Sequence, residues 1–319
     1  MDILLTGSIA YDYLMRFPGR FKDSLVEQSL DKVSLSFLVE DMQRHDGGIG
    51  ANIAYNMGLL GVRPRLFSTV GRDFGDYRRR LEAVGVDCEP VQVIEEVFTA
   101  SFFSNTDLDN NQIASFYSGA MQYSKDFAIM DVTVSKPDLV VISPTDPRAM
   151  SNYVDECRQH HIPYLFDPSQ QVARATPEFL RRGIEHCRIL ACNEYEWEII
   201  QKHTGYTIDG IQKEGHVFVH TLGSDGANIY YEGEVVHVPT FPIAEIANPT
   251  GAGDAFRGGL LSGLAYGFSW KLAGQIGALC AAYTLENVGT QEHQFTRRDF
   301  VTRFRSRFDD EGALDSLLD

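Results

Sequence analysis

A chain of 319 residues, 44% hydrophobic and 23% charged, has the length and composition of a globular protein with one large α/β domain or two smaller ones. Its formal charge of −16 carries no basic block, which argues against nucleic acid or an anionic membrane as partner, and no run of about 18 apolar residues is present to span a bilayer. Five scattered cysteines without Cys-x-x-Cys and nine histidines without His-Glu-x-x-His argue against disulfide staples and a transition-metal centre, and point to a reduced, cytoplasmic setting.

The first residues, Met1 to Ser8, lack the basic region of a signal peptide and read as a buried strand over 2–8 that ends at Gly7-Ser8. Polar/apolar alternation predicts half-exposed strands at 32–39, 97–104 and 112–118. The last two flank the turn-rich segment 105–111 and predict a hairpin. Beyond residue 137, strand-like runs (138–143, 163–167, 187–191, 216–221) alternate with helix-like ones (147–161, 193–203, 253–266, 269–286). Such alternation predicts a parallel sheet with helices on both faces. The predicted fold class is α/β. A large domain of 1–11, 41–94 and 120–319 surrounds a mainly parallel sheet, and a small antiparallel β lid comes from 12–40 and 95–119. The acidic stretch 309–319 reads as a solvated terminus.

The most informative run is Asn248-Pro249-Thr250-Gly251-Ala252-Gly253-Asp254-Ala255-Phe256. Small residues form a tight turn ahead of a helix whose apolar stripe is Phe256, Leu260, Leu261 and Leu264, while Gly258, Gly259, Ser262 and Gly263 permit close packing. A glycine turn opening a helix aims free N–H groups and the positive end of the helix dipole at one point, which makes an anion site of Gly251, Ala252 and Gly253. Asp254 beside that site suits a general base for a hydroxyl attacking a bound phosphate. The plainer alternative is a helix-start carboxylate gaining ordinary dipole stabilisation. A dinucleotide fingerprint fails, because Phe256 stands where the third glycine belongs, and the Gly-x4-Gly-Lys-Ser/Thr phosphate loop is absent.

A second glycine motif, Gly47-Gly48-Ile49-Gly50-Ala51-Asn52, lies some two hundred residues earlier. The pair, Gly-Gly-x-x-x-Asn early and Pro-Thr-Gly-Ala-Gly-Asp late, resembles the paired signatures of the ribokinase-like (PfkB) carbohydrate kinases. Stretches spread over nearly the whole chain are similar to the bacterial adenosine kinase branch of that family. They include Thr6–Ala10 with Asp12, Arg16–Phe21, Lys32–Val39, Gln112–Tyr117, Asp167–Gln171 with Arg174, Asn193–Trp197, Thr221–Gly223 and Gly289–Glu292. The resemblance implies a ribokinase-like fold and transfer of the γ-phosphoryl of ATP to the 5′-hydroxyl of adenosine, with Mg²⁺ and, optionally, K⁺.

It also implies site residues. Asp12 and Asn52 would hold the ribose hydroxyls, and Phe102 and Phe116, one on each hairpin strand, would sandwich the purine. Their plainer readings are a turn residue, a helix cap and a lid packed on itself. Ser8, Ser36 and Gln171 join the substrate set on the family pattern, and Gly48 would let substrate approach bare backbone. Arg174 matches an arginine near the reacting phosphate. Asn193 and Glu196 match a motif that holds Mg²⁺ and phosphate through water, against the plainer reading of a capped surface helix. Thr221, Gly223, Asp225 and Gly226 resemble the loop on the nucleotide side, or form an ordinary hairpin turn. Asn248 departs from the Asp usual in this branch. The lid is expected to close over substrate and to meet the lid of a second copy through the apolar sides of 33–39 and 98–103. A sugar or other nucleoside kinase, and a catalytically dead nucleoside or ATP sensor, are the alternative readings.

Overall fold

The structure is a computed structural model that describes residues 1–24 and 35–318. Its frame is an eight-stranded sheet in the order Glu234–Val238, Ala227–Tyr231, Val217–Thr221, Ile189–Asn193, Tyr164–Phe166, Leu139–Ile142, Ile3–Thr6, Arg65–Phe67. All neighbours from Val217–Thr221 to Arg65–Phe67 run parallel, and the first two strands are joined on antiparallel. The central strands are unbroken apolar runs, ILLT at 3–6 and LVVI at 139–142, with every residue buried. That pattern belongs to a parallel sheet covered by helices on both faces. Two large clusters form its core, one around Leu5, Val141 and Leu260, the other around Leu4, Val140 and Phe218.

Chain order reverses between Ile3–Thr6 and Leu139–Ile142, whose outer neighbours lie on opposite sides. A crevice opens beyond the carboxyl ends of strands at such a point, and ligands of open α/β sheets bind there. Helices Ala252–Ala265 and Trp270–Leu285 pack backbone to backbone: a Cβ on Gly259 would lie 2.7 Å from the Cα of Gly277. The small residues of the 258–263 stretch therefore serve the packing their sequence suggests. Among the described residues, no helix is long and apolar enough to cross a membrane.

A second sheet has four strands in the order Asp41–Gly47, Ala10–Arg16, Ala100–Thr106, Gln112–Tyr117. The hairpin predicted around 105–111 is present, with Phe102 paired to Phe116. Two pairings are antiparallel, but the central one, between Ala10–Arg16 and Ala100–Thr106, is parallel.

Two expectations need correction. Residues 35–39 form no strand, and 32–34 lie outside the described residues. The alternation there has another cause: Phe37 packs edge-on against Phe17 and Phe21, each at 4.9 Å. The strand that completes the sheet is Asp41–Gly47, too polar to betray itself because most of it lies exposed on the sheet edge. The acidic end is also packed, not simply solvated. Arg305 grips Asp310 at 2.8 Å and Asp315 at 2.7 Å, and Leu314 and Leu317 are buried in the turn that follows.

Candidate active site

Gly251 caps helix Ala252–Ala265 in the left-handed region, at φ 84°, and a Cβ there would meet the Thr290 side chain at 2.7 Å. Both facts demand glycine. No side chain caps this helix, and the Ala252 N–H has only a long 3.5 Å contact to the Pro249 carbonyl. Its first N–H groups are thus available to an anion. Asn248 shapes the approach: its Oδ1 accepts from the Thr250 N–H at 2.8 Å. An aspartate would accept the same bond, so the departure at 248 leaves the turn intact.

Asp254 follows in the first turn, buried at the crevice. Asn52 donates from Nδ2 to Asp254 Oδ2 at 2.8 Å, and Arg257 approaches Oδ1 at 3.4 Å. Burial pushes the carboxyl up to about 6, against the pull of Arg257 and the Asn52 bond. Such a group is ionised at neutral pH yet basic enough to take a proton from a hydroxyl in a transition state. Around it stand two further buried carboxylates, Asp167 and Glu196, each raised first of all by burial. Arg257 reaches Asp167 at 2.7 Å, and the Ser143 hydroxyl donates to the other Asp167 oxygen at 3.0 Å. Ser143, Asp167, Asn193 and Thr221 end or immediately follow four adjacent parallel strands, so the sheet itself lines these groups along one edge.

Asn52 lies in helix Ile49–Leu59 and is buried. Its Oδ1 accepts from Thr290 at 2.8 Å and from Gln291 at 2.9 Å, which fills both lone pairs. One N–H of its amide is left once Asp254 is satisfied, so it can offer a ribose hydroxyl a single donor. Gln291 donates in turn to the Tyr77 hydroxyl, which donates to the Gly47 carbonyl at 2.9 Å. Gly48 stands at φ 94°, and a Cβ there would lie 2.6 Å from the Ser8 carbonyl oxygen. The chain's own backbone at Ser8–Ala10 presses on Gly48 and by itself requires a glycine there. Ser8 anchors this helix start, its Oγ accepting from the Ile49 N–H at 3.1 Å.

In the four-stranded sheet, His45, Asp12, Phe102 and Phe116 are directly paired across all four strands and share one face. Gly47 leaves the Asp12 carboxylate its position, since a Cβ there would come within 2.8 Å of its oxygen. Burial raises the Asp12 carboxyl, with His45 opposing. Phe116 is 55% exposed. Cross-strand neighbours on one face lie side by side, so Phe102 and Phe116 do not face one another across a gap as the expected sandwich requires. Ser36 is exposed in the segment before this sheet's edge strand.

At the edge that holds Asn193 and Thr221, the plainer readings describe the local structure. Asn193 and Glu196 form a reciprocal capping box, with bonds of 2.9 and 2.8 Å, although Glu196 is buried rather than solvated. Thr221, Gly223, Asp225 and Gly226 make the turn of an antiparallel hairpin. Thr221 is nonetheless paired with Asn193 at the same edge. Gln171 donates to the Thr145 carbonyl at 3.2 Å, and Arg174 is exposed at the end of the same short turn.

Asp167, Thr290 and Gln291 lie in stretches that carry the family resemblance but had no role there, and Arg257, Ser143 and Tyr77 were not singled out. The spacing of Asp254 and Arg257, three apart on one helix face, was the available signal. The others come together only through the fold.

A parallel α/β sheet with an anion-ready helix and a buried carboxylate at its carboxyl edge, and a small β-sheet beside that edge, is a ribokinase-like phosphotransferase acting on an alcohol group. The pattern of the pfkB family carbohydrate kinases matches residues 6–297, and the chain belongs to that family. It is 30% identical over 310 residues to a nucleoside kinase of Methanothermobacter thermautotrophicus, covering 96% of both chains. The structure is similar to ligand-free Burkholderia thailandensis nucleoside kinase, with a TM-score of 0.86, 36% identity and coverage of 95% of this chain and 99% of that one. That enzyme has also been solved with inosine, at a TM-score of 0.82 and 36% identity over 96% of this chain and 98% of that one, and with ADP-inosine. Methanocaldococcus jannaschii nucleoside kinase, an archaeal member of the ribokinase family, gives a TM-score of 0.84 at 27% identity over 96% of this chain and 99% of that one.

Proposed function

We propose that the protein is an ATP-dependent nucleoside kinase that phosphorylates the 5′-hydroxyl of purine nucleosides, adenosine among them. The observation that carries this reading is the row Asp12, Phe102, Phe116 across the small sheet, set beside a buried carboxylate at a helix N-terminus. The phenylalanine faces stack the base, Asp12 and the remaining Asn52 donor hold the ribose, and the small sheet closes as a lid that excludes water. Stacking reads ring area more than the substituent at position 6. Adenosine and inosine are therefore both expected as acceptors, in keeping with the inosine held by the Burkholderia relative.

In the reaction Asp254 takes the 5′-hydroxyl proton as that oxygen attacks the γ-phosphorus of ATP and the bond to ADP breaks. The N–H groups of Gly251, Ala252 and Gly253 stabilise charge on the transferring phosphoryl. Asn193, Thr221 and the hairpin turn through Gly226 face the nucleotide. Among the described residues no group of three or more His, Cys, Asp or Glu side chains is placed to hold a metal ion by itself. Mg²⁺ would arrive on the ATP phosphates, and the buried Glu196 is the carboxylate that would meet its waters, with K⁺ an optional activator.

The face of the lid opposite Asp12 carries Tyr13 stacked on Phe103 at 4.8 Å, with Met42, Ile113 and Tyr117 exposed. A second copy covers this face in the proposal, and a concentration-independent monomer in sedimentation overturns that part. The function itself is tested by ADP release from Mg-ATP with adenosine, inosine, guanosine, cytidine, ribose and fructose 6-phosphate. Turnover with purine nucleosides at micromolar KM is expected. Turnover with sugars alone, or with nothing, contradicts the reading.

A further inference from the structure

The crevice gathers three buried carboxylates, Asp167, Glu196 and Asp254, around one buried cation, Arg257. A phosphoryl group arriving there would add negative charge to an already anionic site. Arg174 is exposed and, among the described residues, no ion pair fixes it. Arg257, by contrast, is fixed. Its Nη2 donates to Asp167 at 2.7 Å, and Asp167 is held by the Ser143 hydroxyl at 3.0 Å. The grip thus comes from the segments that follow two adjacent central strands, Leu139–Ile142 and Tyr164–Phe166.

We propose that Arg257 is a catalytic residue, clamped on one edge by Asp167 so that its other edge meets the transferring phosphoryl and Asp254. The inference rests on the kinase reading above. Two distances carry it. Arg257 Nη1 stands 3.4 Å from Asp254 Oδ1, longer than a strong charged hydrogen bond. The same atom lies 3.2 Å from the position a Cβ on Gly253 would occupy. The guanidinium therefore lies against the glycine turn that receives the phosphoryl, and the missing side chain at 253 makes room for it. Two of its five N–H donors are engaged, on Asp167 and Asp254, which leaves donors for phosphoryl oxygens. Burial works against its charge, but Asp167 and Asp254 outweigh that and hold the guanidinium firmly protonated. Asp167 and Ser143 act through Arg257 and are positioning residues.

The role separates into two effects. Arg257 stabilises charge on the moving phosphoryl, as arginines do in other phosphoryl-transfer sites. It also keeps Asp254 ionised beside two other carboxylates.

The test compares wild type, Arg257→Lys, Arg257→Gln and the double variant Asp167→Asn/Arg257→Gln, measuring kcat, nucleoside KM and the pH dependence of kcat/KM. Removing the arginine alone strands a buried Asp167 and can prevent folding, whereas the double variant leaves a neutral hydrogen-bonding pair. With the double variant folded by thermal melt, kcat is expected to fall at least about 10²-fold. Nucleoside KM should stay within about threefold, and the acid limb should rise, because Arg257 pulls the Asp254 carboxyl down more than Asp167 pushes it up. Arg257→Lys keeps the charge without the fork and should fall between. A folded double variant with kcat within about threefold of wild type, or an unmoved acid limb, overturns the assignment and leaves Arg257 a structural ion pair. Wild type silent on every nucleoside would instead overturn the kinase reading beneath it.

Discussion

In the crevice, polar side chains are held by other side chains. Asp254 is met by Asn52 and Arg257, Asn52 by Thr290 and Gln291, and Asp167 by Arg257 and Ser143. In the small sheet, strand Gln112–Tyr117 is exposed at every position, and Phe116 leaves more than half its surface open. Catalytic groups must stand in place before substrate arrives, because reorganising charge during the reaction raises the barrier. A recognition surface can wait to be covered, since stacking gains its energy when the base buries the ring. On the proposed reading the crevice does the chemistry and the small sheet the recognition, and substitutions in each should give different kinetic signatures.

The largest effect should come from the crevice. Asp254→Ala is expected to lower kcat at least about 10²-fold, the usual contribution of positioned proton transfer. Asp254→Asn should be equally inactive yet more stable than wild type. The Asp254 pKa of about 6 lies above its ordinary 3.8, so the fold favours the protonated form. That contribution is complete below about pH 3.8 and is lost as pH rises through 6. Asparagine mimics the protonated state at all pH, and should recover about 2–3 kcal/mol in denaturant melts at neutral pH.

Replacing Phe102 and Phe116 together with alanine probes the other region. Nucleoside KM should rise about 10- to 100-fold, from about 1–3 kcal/mol of lost stacking, while kcat and melting temperature change little. A collapse of kcat or of stability would erase the division between the regions. Gly48→Ala is a control lying between them. A side chain at φ 94° facing the Ser8 carbonyl should cost about 1–3 kcal/mol of stability in a thermal melt. Had Gly48 served only to admit substrate, KM would rise and stability would hold.

The smallest effect is a pH signature. Burial pushes His293 down to about 4, below its ordinary 6.5, so its contribution is complete above pH 6.5 and lost as pH falls through 4. Asp254 changes with the opposite sign over nearly the same window, and the two offset each other in wild type. Melts of Asp254→Asn should therefore show a steeper loss of stability between pH 6.5 and 4 than wild type does.

The central strands were legible because burial on both faces leaves unbroken apolar runs such as LVVI at 139–142. The glycine turn and Asp254 were legible because they are contiguous, and Gly251 must take the left-handed backbone that opens the helix. The edge strand Asp41–Gly47 was hidden by its polarity, since its pairing with Ala10–Arg16 rests on backbone bonds that sequence patterns do not record. The clamp on Arg257 was hidden for another reason. Asp167 is 90 residues away along the chain, and only the parallel sheet brings it to the helix. Leu314 and Leu317 were masked by the acidic residues around them.

The most direct test is formation of nucleoside 5′-monophosphate from ATP with adenosine and inosine, as kcat/KM from about pH 5 to about pH 8. The account predicts a rate that climbs about tenfold per unit below an apparent pKa near 6 and levels off above it, with the 5′-phosphate as product. A rate independent of pH through that window, or phosphate placed on another hydroxyl, would contradict Asp254 as the base and the orientation of substrate beneath the lid.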